Sequence, residues 1–330
     1  MITRVQGFLV GHASDFENLT GCTVILCPPR TMGSADIRGS AAGTRQMDAL
    51  VGLHVVDEVH GVCIAGGSAF GLDAAGGAME FLEERGRGFD VTITRVPIVP
   101  TAVIYDLAVG NCRRRPDKAI GYAACQAATD QPQGDGSVGA GVGATVGKLL
   151  GVQQATKGGL GTSFLTGPEG LHVGALAVVN AFGDVVDPGT GAILAGARRD
   201  RDSHEFVNTV TMLRQGFVRQ RFAEPNTTIA VVATNARLTR EQAQKVAQMG
   251  HNALARCIRP VHTLFDGDLV FVLARPQVDA DLHVLGVLAE AALEQAILGA
   301  VKSAAGLGVL PAYQDIYPGG GAASNSRVDS

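Results

Sequence analysis

Short apolar runs rich in β-branched residues recur along the chain and predict strands. Residues 173–179 and 229–233 are the strongest of these runs, because almost every position in them is apolar. Both are interpreted as buried strands bordered by helices. Further strands are predicted at residues 7–10, 22–27, 49–65, 96–104 and 269–274.

Stretches with apolar residues three or four positions apart predict helices between these strands. Thr239, followed three residues later by Gln242, forms a capping box and marks the start of a helix that extends to Leu254. A longer helix, over about residues 279–304, is apolar around much of its circumference, so we expect it to pack against a sheet or another subunit. Helices are also predicted at residues 74–82 and 118–127.

Three segments lack either periodicity and are interpreted as connections or ends. The glycine-rich segment 34–43 predicts an irregular surface loop, and residues 187–224 predict an exposed linker. Residues 318–330 predict a flexible tail. With strands and helices intermixed in one chain, we expect a single α+β domain over residues 1–330, with two layers of sheet covered by helices.

Composition and charge narrow the possible partners. The 330 residues are 46% hydrophobic and 18% charged, with a formal net charge of −4, so nucleic acid is not an expected partner. We find no apolar run of membrane-spanning length and no secretion signal, which predicts a cytoplasmic protein that does not bind membranes. The six cysteines are scattered without a CxxC pair and predict reduced thiols rather than a disulfide or zinc site.

The junction at Asn226 and Thr227 is the strongest candidate for chemistry. Pro225 breaks the chain, and a strand-like run begins directly afterwards with a hydroxyl residue at its start. If the bond between Asn226 and Thr227 were cut, Thr227 would carry a free α-amine beside its own hydroxyl, so one residue would supply both nucleophile and base. The alternative is an ordinary turn-to-strand junction, because threonine favours strands.

Two glycine-rich stretches invite other interpretations that their spacing does not support. A nucleophile elbow around Ser68 would need glycine at position 70, where Phe70 stands. A phosphate loop ending at Lys148 would need glycine at position 142 and a hydroxyl residue at 149, where Val142 and Leu149 stand.

Several motifs in order along the chain resemble one enzyme family. Over about residues 2–310 the sequence is similar to the DmpA-type aminopeptidases, which include L-aminopeptidase/D-Ala-esterase, β-peptidyl aminopeptidases and the 6-aminohexanoate oligomer hydrolase. The resemblance implies an αββα sandwich that generates an N-terminal nucleophile by self-cleavage, here into residues 1–226 and 227–330. The motifs that carry it are residues 10–13, 65–72, 102–106, 143–148, 178–180, 226–229 and 232–235.

The same resemblance implies a role for individual residues around Thr227. Lys148 would lie by the freed α-amine and keep it unprotonated, and Asn180 would donate to the oxyanion of the tetrahedral intermediate. Tyr105 would form a hydrogen bond near the nucleophile. Asp266 and Asp268 would order its hydrogen bonds, although Asp266-Gly267 is also a typical turn sequence.

The pattern at the junction is closer to the oligomer hydrolase than to the aminopeptidases, which mostly have glycine followed by a serine nucleophile and lack the aspartate pair. We expect hydrolysis of a peptide, aminoacyl amide or oligoamide, with no metal or organic cofactor. The apolar helix at residues 279–304 and the resemblance both predict a homo-oligomer that is a tetramer or larger. An acyltransferase of the ornithine acetyltransferase type and a non-catalytic assembly or binding protein are the alternatives.

Overall fold

The structure, a computed structural model, describes residues 1–217 and 225–319. The strands in these residues are β1 (Leu9–Asp15), β2 (Thr20–Leu26), β3 (Met32–Ile37), β4 (Gly43–Arg45), β5 (Gly61–Ala65), β6 (Phe89–Asp90), β7 (Arg95–Val96), β8 (Thr101–Val103), β9 (Thr145–Val146), β10 (Thr156–Lys157), β11 (Gly159–Thr166), β12 (His172–Asn180), β13 (Asp184–Val186), β14 (Ile193–Ala195), β15 (Thr227–Ala236), β16 (Ile258–Arg259) and β17 (Leu269–Val278). The α-helices are α1 (Ala74–Glu83), α2 (Lys118–Gln126), α3 (Thr209–Arg214), α4 (Arg240–Cys257), α5 (Leu282–Lys302) and α6 (Tyr313–Ile316). Short 3₁₀ helices lie at Ile2–Arg4, Met47–Leu50, Ser68–Asp73, Gly139–Gly141, Val152–Gln154 and Pro168–Gly170.

Two five-stranded sheets form the centre of the fold. Sheet I has the order β1-β2-β5-β8-β4, and sheet II has the order β11-β12-β15-β17-β3. In each sheet the third and fourth strands are parallel and all other neighbours are antiparallel. Two sheets with one parallel pair each fit an α+β fold rather than a doubly wound nucleotide-binding fold.

Three apolar clusters show that the layers are stacked helix, sheet, sheet, helix. One cluster joins α1 and α2 to the outer face of sheet I, and another joins α4 and α5 to the outer face of sheet II. The third lies between the two sheets. Alternate residues of β15 enter different clusters: Val232 faces the helices and Val231 faces the other sheet. The predicted αββα sandwich is therefore confirmed.

Close backbone contact between α1 and α2 requires glycine at the crossing. A Cβ atom on Gly77 would lie 1.8 Å from the carbonyl oxygen of Lys118, and one on Gly121 would lie 1.9 Å from that of Ala74. No residue with a Cβ atom fits at such distances, so the glycine-rich composition here reflects backbone packing.

The two long helices that cover sheet II match their predicted positions. The capping box of α4 is present: the hydroxyl of Thr239 accepts the N–H of Gln242 at 3.2 Å, and the side chain of Gln242 accepts the N–H of Thr239 at 2.9 Å. By length and composition α5 could cross a bilayer, contrary to the expectation that no apolar run is long enough. However, 56% of its 18-residue apolar stretch is buried, as in the core helix of a folded domain.

The predicted surface loop 34–43 is wrong in its first part, because residues 32–37 form edge strand β3 of sheet II. Its small and polar residues give a weak pattern, and pairing with β17 supplies the strand. Conversely, the strand predicted at 49–65 is restricted to β5, and the strand predicted at 96–104 is restricted mainly to β8. Pro97 and Pro100 lack the N–H that a strand ladder needs.

The predicted exposed linker 187–224 is wrong for residues 194–198, which are buried, whereas most of its other described residues are exposed or half-buried. Leu194 and Ala195 of β14 are buried, and so is Arg198, whose guanidinium donates to the carbonyl oxygens of Ala155 at 3.1 Å and Gln153 at 2.9 Å. These contacts fix Arg198, whereas residues 199–202 of the same charged patch are exposed as expected. Residues 218–224 of that linker, and residues 320–330 of the predicted tail, lie outside the described residues.

The packing of α5 gives a stability prediction. Leu293 is fully buried in the cluster between α5 and sheet II, so Leu293→Ala should lower the free energy of unfolding by about 2–5 kcal/mol. Gln295 is exposed on the same helix, and Gln295→Ala should change it by less than about 0.5 kcal/mol. Urea denaturation followed by circular dichroism measures both, and equal effects would argue against this placement of α5.

Candidate active site

The candidate residues meet at one edge of sheet II because of the directions of three strands. β12 and β15 are antiparallel, so the end of β12 at Asn180 lies beside the start of β15 at Thr227. β17 is parallel to β15, so its start lies at the same edge, where a bridge joins Asn226 to Asp266. The strand directions thus bring together residues that are far apart in sequence.

The hydroxyl of Thr227 lies against the carbonyl group of the preceding residue. Its Oγ1 donates to the carbonyl oxygen of Asn226 at 2.5 Å. The N–H of Gly267 donates to the same oxygen at 2.7 Å, and the carbonyl oxygen of Phe265 accepts the N–H of Asn226 at 2.7 Å. Asn226 is therefore held at both of its backbone polar groups, and Thr227 is only 3% exposed.

Lys148 and Asn180 form a buried pair on the other side of Thr227. The Nζ of Lys148 donates to Oδ1 of Asn180 at 2.7 Å and to its carbonyl oxygen at 3.2 Å. Successive N–H groups of a strand face opposite neighbours. Since the N–H of Thr228 donates to Asp268 on the β17 side at 2.7 Å, the N–H of Thr227 faces Asn180. Lys148 is thus bound to the residue that the nitrogen released by cleavage would face.

Tyr105 reaches this pair through its backbone. Its carbonyl oxygen accepts the side-chain Nδ2 of Asn180 at 3.1 Å, and the N–H of Thr145 donates to Oδ1 of Asn180 at 3.0 Å. The Asn180 side chain is thereby fixed from two directions by segments that belong to different parts of the chain.

A second layer of buried charge supports these segments. The Nζ of Lys157 donates to the carbonyl oxygens of Val142 at 2.5 Å and Ala144 at 3.0 Å, which holds the segment that leads to Lys148. Burial lowers the pKa of Lys157 to about 7, and the nearby charge of Asp106 opposes this shift. Sequence reasoning missed this lysine, because nothing in its pattern distinguishes it from a solvated one.

Asp106 explains part of the glycine motif at residues 65–72. Its carboxylate accepts the hydroxyl of Thr20 and the N–H of Gly67, both at 2.7 Å. A Cβ atom on Gly66 would lie 2.0 Å from this carboxylate. The motif therefore anchors the residue next to Tyr105.

Asp266 and Asp268 hold the turn that contacts Asn226. Oδ1 of Asp266 accepts the N–H of Phe182 at 3.1 Å, and its Oδ2 accepts the N–H of Thr263 at 3.0 Å. Burial, together with the charge of Asp268, raises the pKa of Asp266 to about 6. The turn is not a hairpin, because the preceding strand β16 pairs with β13 and not with β17.

His262 is a further member of the site that sequence reasoning missed. The backbone N–H of His262 donates to Oδ2 of Asp268 at 3.1 Å, and its ring Nδ1 lies 2.9 Å from the same oxygen. Its ring packs edge-on against the buried ring of His251, with centroids 4.7 Å apart. Burial lowers the pKa of His251 to about 4, so this neighbour is neutral at physiological pH. No motif in the sequence marks either histidine.

All of the predicted site residues lie at this edge of the sheet, and their roles stay predictions. They are Thr227, Asn226, Asn180, Lys148, Tyr105, Asp266 and Asp268. Among residues 1–217 and 225–319, no group of three or more His, Cys, Asp and Glu side chains is arranged to hold a metal ion.

Comparisons with known proteins identify relatives along nearly the whole chain. The sequence pattern of peptidase family S58 matches residues 1–310. An uncharacterized aminopeptidase of Mycobacterium leprae is 40% identical, with 96% of this chain and 94% of the relative aligned. A 6-aminohexanoate-oligomer endohydrolase of Kocuria sp. is 30% identical, with 90% of this chain and 84% of the relative aligned.

Solved structures share the fold at lower identity. A β-aminopeptidase of Burkholderia sp. superposes with a TM-score of 0.69 at 18% identity, covering 96% of this chain and 92% of that one. The L-aminopeptidase D-Ala-esterase/amidase of Ochrobactrum anthropi gives 0.67 at 18% identity, covering 92% and 86%, and is described as a variant of the Ntn hydrolase fold.

The pKa of Asp266 is open to direct measurement. In a Thr227→Ala background, which lacks the hydroxyl of the candidate site, Asp266 should take up a proton near pH 6. Carbon-13 NMR of aspartate-labelled protein measures the midpoint, and the signal is assigned by its loss in Asp266→Asn. Because burial also raises the pKa of Asp184 to about 6, Asp184→Asn assigns that second signal.

The raised pKa of Asp266 also determines how the stability of the folded protein changes with pH. The folded pKa of Asp266 lies above the unfolded value of about 4, so the folded state binds the proton more tightly. Its contribution to stability is full below pH 4 and is lost as the pH rises through 6. A midpoint near 4 in the folded protein would contradict the buried position of this carboxyl group.

Proposed function

The chain belongs to peptidase family S58, and from that premise we propose that it is a self-processing N-terminal threonine hydrolase. As a family member with this fold it is a hydrolase. In the proposal, cleavage between Asn226 and Thr227 gives chains of residues 1–226 and 227–330. The two chains stay together because β15 and β17, in the second chain, lie between strands of the first in sheet II.

The position of the Thr227 hydroxyl against the Asn226 carbonyl carries this proposal. Oγ1 attacks the carbonyl carbon, the peptide C–N bond breaks as the nitrogen takes up the hydroxyl proton, and an ester remains. Water hydrolyses this ester, which leaves a carboxylate on Asn226 and a free α-amine on Thr227. The close contact supplies the proximity that an intramolecular attack requires.

In the processed enzyme the same hydroxyl attacks a substrate amide, and the α-amine takes its proton. An α-amine has an unperturbed pKa of about 8, which suits a base near neutral pH. The Nζ of Lys148 donates to the carbonyl oxygen of Asn180, and the Thr227 nitrogen faces Asn180 as well. Its positive charge disfavours protonation of the amine, because like charges repel. The amide of Asn180 is the proposed donor to the substrate oxyanion.

The relatives indicate the substrate class. One is named an aminopeptidase and another hydrolyses 6-aminohexanoate oligomers, so we propose that this chain cleaves amide bonds in short peptides, aminoacyl amides or oligoamides. The cytoplasmic location and the homo-oligomer expected from the sequence stay predictions.

Self-processing predicts a specific set of masses. The wild-type protein should separate under denaturing conditions into residues 1–226 and 227–330, whereas Thr227→Ala should remain one chain. Thr227→Ser keeps a hydroxyl at the same position and should still split. Intact mass spectrometry distinguishes these species, and a wild-type protein that stays whole in active preparations would refute the mechanism.

Asn180→Ala should separate hydrolysis from processing. The described Nδ2 contact of Asn180 is to Tyr105, away from Asn226, so self-cleavage should continue. Hydrolysis should slow by about 10²–10³-fold, because a donor to the substrate oxyanion is lost. The assay uses 6-aminohexanoate oligomers and aminoacyl p-nitroanilides.

Asn111→Ala, in an exposed loop, is the matched control and should leave both rates unchanged. Since splitting itself reports a folded site, loss of splitting in Asn180→Ala would assign Asn180 a structural role instead. A product that forms only when an amine acceptor is added would assign the acyltransferase alternative.

A further inference from the structure

The carbonyl oxygen of Asn226 accepts a short hydrogen bond from a backbone group that no motif marks. The N–H of Gly267 donates to this oxygen at 2.7 Å. During self-cleavage the same oxygen becomes negatively charged, so a donor aimed at it acts on the reacting atoms themselves. We propose that the Gly267 N–H is the oxyanion donor for self-cleavage, separate from Asn180. The inference rests on the proposed self-processing.

The chemical step shows why a donor is needed at this atom. As Oγ1 of Thr227 forms a bond to the carbonyl carbon of Asn226, the electron pair of the C=O bond moves onto the oxygen. The pair returns when the C–N bond breaks and the Thr227 nitrogen takes the hydroxyl proton. Between these events the N–H of Gly267 faces a full negative charge, and hydrogen bonds to ionised acceptors are the stronger ones.

The peptide group that carries this N–H is itself polarised from behind. Its carbonyl oxygen, that of Asp266, accepts the N–H of Ala41 at 2.8 Å. Hydrogen bonds in a chain strengthen one another, so this contact makes the Gly267 N–H a better donor. Two residues further along the chain, the carbonyl oxygen of Asp268 accepts the N–H of Arg38 at 3.0 Å. Segment 38–41 therefore fixes the turn from its far side.

Side chains fix the turn from its other sides. Asp266 accepts the N–H of Phe182 and of Thr263, while Asp268 accepts the N–H of Thr228 and contacts the ring of His262. In this arrangement both aspartates are positioning residues for the peptide group between them.

Residue 267 must be glycine because of segment 38–42. A Cβ atom at this position would lie 2.7 Å from the carbonyl oxygen of Ala41 and from the Cα atom of Ala42. The glycine thus allows the turn to pack beneath the segment and to keep its N–H directed at Asn226. Exclusion of water supports the same role, since Asn226, Asp266 and Asp268 are all buried and a hydrogen bond in a water-poor site is worth more.

Asn180 lies on the opposite side of the nucleophile. Thr227 faces Asn180 with its own nitrogen, and the Nδ2 of Asn180 donates to the carbonyl oxygen of Tyr105. The two donors are therefore separated by the strand itself: Gly267 serves the carbonyl that precedes Thr227, and Asn180 serves an incoming substrate.

The test removes this one N–H and leaves every side chain in place. Cell-free translation with a suppressor tRNA charged with glycolic acid replaces the peptide bond at Gly267 with an ester, which has no N–H. Self-cleavage should slow by about 10²–10³-fold, as for loss of an oxyanion-hole donor. The rate is measured by denaturing gel from the disappearance of the uncut chain.

A glycolic acid substitution at Gly167 is the matched control. The N–H of Gly167 donates to the carbonyl oxygen of Leu171 at 2.7 Å, an equally short bond in the turn that precedes β12, at the end of the strand away from Asn180. This ester should split at the wild-type rate. Thermal unfolding of both esters in the Thr227→Ala background checks that each still folds.

The outcomes separate this inference from the function on which it rests. If the wild-type chain splits and the Gly267 ester splits equally fast, the Gly267 proposal is wrong while self-processing stands. If the wild-type chain itself does not split, self-processing fails first. A folded Gly267 ester that splits slowly beside a Gly167 ester that splits normally supports the proposal.

Discussion

The site depends on the placement of β15 between one antiparallel and one parallel neighbour. The antiparallel pairing sets Asn180 beside Thr227, and the parallel pairing brings the turn at Asp266 to the same edge. Because N–H groups alternate along a strand, Thr227 faces one neighbour and Thr228 the other. The backbone N–H groups of these two adjacent residues therefore face two separate sets of partners. A shift of the register by one residue would exchange those sets and separate the hydroxyl from its chemistry.

Buried charge is the second constraint, and backbone groups satisfy much of it. Lys157 donates to carbonyl oxygens, while Asp106, Asp184 and Asp266 accept backbone N–H groups. A charge removed from water is strongly destabilising unless such partners are present. Burial raises the pKa of Asp184 and Asp266 and lowers that of Lys157, which records the remaining penalty. These buried groups form hydrogen bonds between separate segments of the chain, which fixes the site relative to the two sheets.

The geometry also divides the work between two sides of one residue. On the β17 side, the turn around Gly267 holds the peptide bond that processing would break. On the β12 side, the paired Lys148 and Asn180 lie on the side that the nitrogen released by processing would face. In the proposed mechanism the first side acts once in the life of the protein and the second in every turnover. Relatives with different substrates can share such a scaffold, because a fold fixes the position of a site and not its specificity.

The sequence by itself determined the elements with strong local signals. The apolar runs placed β12 and β15, the capping box placed the start of α4, and the motif order pointed to the fold and to the residues around Thr227. It failed where the local signal was weak or misleading. β3 has small and polar residues and exists because β17 pairs with it, while Arg198 reads as solvated yet is buried among carbonyl oxygens.

Only the tertiary structure could reveal the partners that are not written as side-chain patterns. The N–H of Gly267 and the carbonyl of Tyr105 belong to the backbone, which every residue carries, so no sequence motif distinguishes them. Lys157 and His262 gain their positions from contacts with Val142 and Asp268 that no sequence pattern marks. The sequence therefore decided which residues could react, because side-chain chemistry is local. The fold decided what faces them, because contacts across a sheet depend on strand order, direction and register.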